Sequence, residues 1–174
     1  MKVYDGTQST DDDQGTEPER IKVGIAEYKT TIDDAVLTTS GLGSCIGVGI
    51  YDDVSGAAGL VHVMLPTAED IDDGNRAKFA DTGVEALVEA LEDAGASRGS
   101  MRAKMAGGSD MLDFSESGSS IGSRNAKQVR ATLEEFDVPL VGEDVGGDHG
   151  RSLKLDAGTG DLVVKSANTE STTL

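Results

Sequence analysis

The sequence predicts one mixed α/β domain, strand-rich, with two main helices packed on a sheet face. Three observations carry that prediction. Short apolar or alternating runs, separated by Gly, Asp and Ser, recur along the chain as strands joined by turns do. Two longer stretches, one ending before Gly95 and one following Ser120, change to helical spacing. At 174 residues the chain suits one buried core, and no repeat or linker divides it. Helices falling among strands favour a layered packing of the two.

In chain order, residues 1–20 are polar, acidic and aperiodic, and read as a disordered tail. The domain is expected over 21–166. Residues 21–28 alternate in part, like a half-exposed strand, and 35–39 form a second strand leading into Gly41-Leu42-Gly43-Ser44-Cys45. Residues 46–51 are apolar throughout, a buried strand whose glycines indicate close approach by neighbouring structure. A turn over 52–56 returns the chain as a strand over 58–65, which Pro66 ends. This hairpin sets the neighbourhood of Cys45 beside residues 61–65.

From 75 to 94, Phe79, Val84, Leu87, Val88 and Leu91 recur at helical spacing, and Gly95 is the stop. Residues 101–106 alternate as a strand ending at Gly107-Gly108. Ser119 or Ser120 caps a second helix over about 121–136, with Ile121, Ala126, Val129 and Leu133 on one side. Residues 138–141 open the last section. Strands near 152–156 and 161–165 flank a tight turn, and 167–174 form a polar tail expected to fray.

Acidic residues number 32 against 15 basic ones, for a net charge of −17. Such a surface repels nucleic acid and anionic membranes, which argues against both as partners. Aspartate runs such as Asp33-Asp34 and Asp52-Asp53, with few lysines, read as a surface adapted to strong salt. A single cysteine cannot form an internal disulfide, which fits a reducing cytoplasm. The first residues lack the profile of a signal peptide, and no apolar stretch approaches the ~20 residues a membrane helix needs. A soluble cytoplasmic protein is expected.

Cys45 sits where the glycine-serine turn meets the apolar strand. A thiol on such a turn has main-chain N–H groups beside it, which suits a nucleophile, although lone cysteines also fill cores. A thiol needs a base, and the histidines are His62 and His149. His62 lies on the strand paired with the one leaving Cys45; His149 lies in a glycine-rich loop, and both remain open as the base. Thr39 offers a hydroxyl that could orient an imidazole as the acid does in a serine triad. Metal ligands at usable spacings are missing, Gly41-x-Gly43 does not continue as a dinucleotide fingerprint, and no phosphate loop follows.

Residues 39–45, then Ile50-Tyr51-Asp52 and the run from Gly59 to Pro66 with its His-Val-Met-Leu-Pro ending, resemble the chemoreceptor glutamine deamidase family CheD. So do Lys104-Met105-Ala106-Gly107-Gly108, Ile121-Gly122-Ser123-Arg124-Asn125 and residues 144–151, in the expected order. The resemblance spans about 22–166. It implies a cysteine hydrolase, a protein-glutamine glutaminase that converts receptor glutamines to glutamate without a cofactor or metal. It also implies an α/β fold shared with deamidating toxins. Cys45 matches the nucleophile, His62 the base and Thr39 the orienting hydroxyl. His149 matches a variable position, and Ser40 replaces a more usual aliphatic residue. The implied partners are cytoplasmic domains of methyl-accepting chemotaxis receptors and the phosphatase CheC. An alternative is a weakly catalytic or non-catalytic regulator of CheC, and a cysteine protease would share the thioester chemistry.

The charge generates a test. At 0.01 M salt, self-repulsion acts over a Debye length of ~30 Å, against ~3 Å at 1 M. The melting temperature should therefore climb steadily through a salt series; a melting temperature that ignores salt would overturn the reading.

Overall fold

The structure, a computed structural model, describes residues 18–68, 74–110, 120–166 and 170–174. The acidic stretch over 1–17 lies outside them. The strands, in chain order, are β1 (Glu19–Lys22), β2 (Tyr28–Thr31), β3 (Ala35–Leu42), β4 (Ile46–Asp52), β5 (Ala58–Val63), β6 (Met101–Gly107), β7 (Leu140–Val145), β8 (Arg151–Asp156), β9 (Leu162–Ser166) and β10 (Thr172–Thr173). Helix α1 spans Ala80–Asp93 and α2 spans Ile121–Glu135. The protein is thus a strand-rich mixed α/β domain with two main helices.

The strands divide into two sheets. One has the order β1-β3-β8-β9-β10, the other β2-β5-β4-β6-β7. In the second sheet β4 pairs antiparallel with β5, setting Ile46 opposite Val63 and Gly47 opposite His62, so the expected hairpin forms. The parallel step from β6 to β7 is bridged by α2, because parallel neighbours need a long crossover.

The two-residue period of β4 explains the layers. Ile46, Val48 and Ile50 face one way and pack with Val61 and Val63 against Val84, Leu87 and Leu91 of α1 and Val129 and Leu133 of α2. The other face of β4 carries Gly47 and Gly49, and there the first sheet presses in. A Cβ at Gly47 would lie 2.4 Å from Leu153 Cδ1, and one at Gly49 3.1 Å from Leu155 Cδ2. Leu37, Leu42, Leu60, Leu153, Leu155 and Leu162 fill this second, inter-sheet core, with Cys45 packed at its border. Helices, second sheet and first sheet therefore stack as three layers. Among the described residues no helix is long and apolar enough to cross a membrane.

Several elements differ from the sequence reading. The strand expected over 21–28 is two strands in different sheets: the chain turns at Ala26, whose φ is 59°, and β1 already begins at Glu19. The helix expected over 75–94 is a short 3-10 turn, Arg76–Lys78, followed by α1. Phe79 between them is extended, with φ −114° and ψ 143°, because its segment pairs with the end of β5. Met64 and Leu65 both donate to the Lys78 carbonyl, and Ala80 donates back to Leu65. Strand β7 is longer than the start seen at 138–141. Of the tail expected to fray, residues 167–169 lie outside the described residues, while Thr172 and Thr173 pair with Val164 and Val163. Ser120 rather than Ser119 caps α2, accepting from the Ser123 N–H at 3.0 Å.

Gly47 is the position at which the sheets are closest to interpenetrating. In Gly47→Ala the new methyl meets Leu153, which is only 1% exposed and has nowhere to swing. Overpacking of this kind costs about 1–3 kcal/mol. Urea unfolding should show the midpoint falling with an unchanged m-value; a midpoint equal to wild type would mean that the sheets are not in close contact there.

Candidate active site

Strand β3 carries Thr39 on its inward face, two residues beyond the buried Leu37. After Ser40 the chain must leave the strand, and Gly41 takes φ 75°, a left-handed conformation that glycine adopts without steric cost. The Gly43 N–H donates to the Gly41 carbonyl at 3.1 Å, which tightens the turn on which Cys45 stands half-buried.

His62 projects from β5 into the inter-sheet layer, on the face it shares with Leu60. There its Nδ1 meets Thr39 Oγ1 at 2.8 Å, a hydrogen bond joining the two sheets. Both side chains are buried, and among the described residues His62 Nε2 has no hydrogen-bond partner. Since Gly47 is the cross-strand partner of His62, the imidazole stands two positions along the ladder from Cys45, over a residue with no side chain. His149 is placed otherwise. Its half-exposed ring lies beside Gly147, with Nδ1 3.8 Å from Asp148 Oδ1.

Burial sets the protonation of both groups. With no charged partner to stabilise the imidazolium, burial pushes the His62 pKa down from 6.5 to about 4. Burial likewise pushes the Cys45 thiol up, and its own main-chain N–H pulls more weakly in the other direction. The pair therefore rests as neutral thiol and neutral imidazole at pH 7.

The turn is held through its carbonyls. Ser109 N–H donates to Gly43 O and Gly108 N–H to Cys45 O, each at 2.8 Å. Asn125 Nδ2 donates to Ser44 O at 2.9 Å and to Met64 O at 3.0 Å. Among the described residues, the N–H groups of Ser44 and Cys45 meet no carbonyl or side-chain oxygen, and that of Cys45 faces its own sulfur. Gly107, at φ 119°, lies so close that a Cβ would fall 2.3 Å from Cys45 O. Arg151, whose side chain is buried, reaches from β8 to Gly107 O at 3.2 Å and Asp144 Oδ1 at 3.1 Å, tying the first sheet to this corner. Reading the residues singly did not reach Asn125, Ser109 or Arg151 as parts of the site. The only sequence signal of Asn125 and Arg151 was membership in the short motifs over 121–125 and 144–151, and Ser109 lies just beyond the motif over 104–108.

Fold and site define a class: a layered α/β domain in which one cysteine, on a glycine turn, stands near a buried imidazole-hydroxyl pair. Residues 64–166 match the family model described as CheD chemotactic sensory transduction. That match starts just after His62, but full-length relatives cover the cysteine turn as well. The chain is 71% identical, over 100% of both chains, to the probable chemoreceptor glutamine deamidase CheD of Haloarcula marismortui. It is 48% identical to the protein of the same description from Natronomonas pharaonis, over 90% of this chain and 93% of that one. The chemoreceptor glutamine deamidase CheD of Halalkalibacterium halodurans is 40% identical, over 85% and 94%. The chain belongs to the CheD family.

The buried imidazole makes stability depend on pH. Its folded pKa is depressed, so the unfolded chain takes up the proton first. Stability present above pH 6.5 is lost as pH falls towards about 4. The loss attributable to this group is on the order of 3 kcal/mol. Wild type should therefore lose stability more steeply than His62→Gln between those limits in urea titrations; parallel profiles would mean that His62 titrates as it does in water.

Proposed function

We propose that this protein is a chemoreceptor glutamine deamidase, hydrolysing glutamine side-chain amides on receptor cytoplasmic domains to glutamate with release of ammonia. The observation that carries the reading is the 2.8 Å contact of Thr39 Oγ1 with His62 Nδ1 in the layer bordered by the chain's one cysteine. With Nδ1–H donating to Thr39, the lone pair of His62 lies on Nε2, where a base needs it.

Because the pair rests neutral, the reaction begins by general base catalysis. Nε2 takes the thiol proton as Cys45 Sγ bonds to the amide carbon, and the carbonyl oxygen gains the negative charge. Among the described residues the main-chain N–H groups of Ser44 and Cys45 meet no oxygen acceptor, and they are the donors we assign to that oxyanion. The imidazolium then gives its proton to nitrogen, the C–N bond breaks, and ammonia leaves a thioester. Nε2 next deprotonates water, oxygen adds to the thioester carbon, and the C–S bond breaks as the imidazolium returns its proton to Cys45 Sγ. Glutamate and the thiol are released. No step calls for a cofactor. The setting is the cytoplasm, where receptor signalling domains lie, and the family resemblance adds the phosphatase CheC as a binding partner.

The experiment is incubation with receptor cytoplasmic fragments from the same organism, followed by mass mapping of glutamines. Wild type should convert specific glutamines and Cys45→Ala none, while Cys45→Ala stays folded and still binds the fragments. His62→Ala should lose about 10²–10⁴-fold in rate, the usual contribution of a positioned base. His149→Ala should stay near wild type. A chain that binds fragments but converts nothing would overturn the enzymatic reading, and equal losses in the two histidine variants would overturn the choice of base.

A further inference from the structure

Beyond Ile46 and Val63 the β4–β5 ladder stops, because Met64 turns its N–H to Lys78 instead. The next positions on the two strands are Cys45 and Met64, so pairing ends where the cysteine must be held. One side chain spans the gap. Asn125, fully buried in the second turn of α2, uses both Nδ2 hydrogens: one on Ser44 O at 2.9 Å, one on Met64 O at 3.0 Å. Ser44 precedes Cys45, and Met64 lies two residues after His62. Asn125 is therefore bonded to the main chain of both segments that carry the reacting groups.

The planar trans peptide gives this bridge a second effect. In such a unit C=O and N–H point in opposite directions. Drawing the Ser44 carbonyl towards Asn125 turns the Cys45 N–H away from it, to the side on which it faces the sulfur. We propose that Asn125 is a positioning residue that sets the cysteine turn against the histidine strand and aims the Cys45 N–H at the oxyanion. The side-chain chemistry fits that role: a carboxamide offers two donors without charge, whereas a carboxylate would oppose two carbonyl oxygens. Its own Oδ1 is buried without a partner among the described residues, so the side chain is held by its donors. This inference rests on the deamidase reading and deepens it.

The test reads Cys45 without substrate first. Alkylation by iodoacetamide is followed from pH 5 to 9 in wild type, Asn125→Ala, His62→Ala and the double variant, each corrected for folded fraction. If Asn125 positions the pair, Asn125→Ala should lose the His62-assisted rate at neutral pH. The double variant should then be no slower than His62→Ala alone, a non-additivity that mere destabilisation would not produce. On receptor fragments kcat should fall about 10²–10³-fold with KM little changed, as for loss of an oxyanion donor. A wild-type alkylation profile in Asn125→Ala, or losses that multiply independently, would overturn the proposal. Should Asn125→Ala not fold, the wild-type side-chain amide resonances of Asn125 decide: they should shift on carboxamidomethylation of Cys45, and unmoved resonances overturn it. Failure of the underlying reading looks different, because wild type and His62→Ala would then alkylate alike and wild type would convert no glutamine.

Discussion

The hydrogen bond between Thr39 and His62 exists because the two sheets can come together, and they can because β4 presents glycine to the inter-sheet layer. Leu153 and Leu155 of β8 occupy the space that side chains at 47 and 49 would take. Strand β8 pairs with β3 at Thr39 and Leu153, so seating β8 against β4 also seats Thr39 against the second sheet. The site is thus a consequence of core packing. What brings hydroxyl and imidazole within 2.8 Å is the shape of the leucine-glycine contact beside them.

The same burial decides the electrostatics. An imidazole in an apolar layer, with a hydroxyl as its partner and no carboxylate, holds its proton weakly; a thiol at the edge of that layer gives its proton up reluctantly. Both shifts favour the uncharged pair at neutral pH. The acidic exterior has little part in this. The surface sets how the molecule behaves in salt, and the inter-sheet layer sets how its thiol behaves.

The cysteine turn has a third source of order. The carbonyls at 41, 43, 44 and 45 each accept a hydrogen bond, from the turn itself, from the loop after β6 and from α2. With the acceptors occupied, the N–H groups at 44 and 45 are what the turn has left to offer a ligand. Gly107 and Gly122 permit the crowding: a Cβ at 107 would strike the Cys45 carbonyl, and one at 122 the carbonyls of Gly108 and Ser109.

The sequence by itself determined whatever depends on local period and chemistry. The β4–β5 hairpin was legible from two apolar runs around an aspartate turn, α2 from its serine cap and spacing, and the shared face of Leu60 and His62 from strand alternation. Cys45, His62 and Thr39 stood out because few residues in the chain could do such chemistry, and their order matched a family. Division into two sheets was not legible, since a strand's period states which face is apolar and not which layer it meets. The same reason hid the break at Ala26, the extended Phe79 and the pairing of Thr172 and Thr173. Asn125 was legible only as a letter in a motif. Its partner Ser44 is 81 residues away, and only the packing of α2 against the end of β4 decided that its amide would hold the cysteine turn.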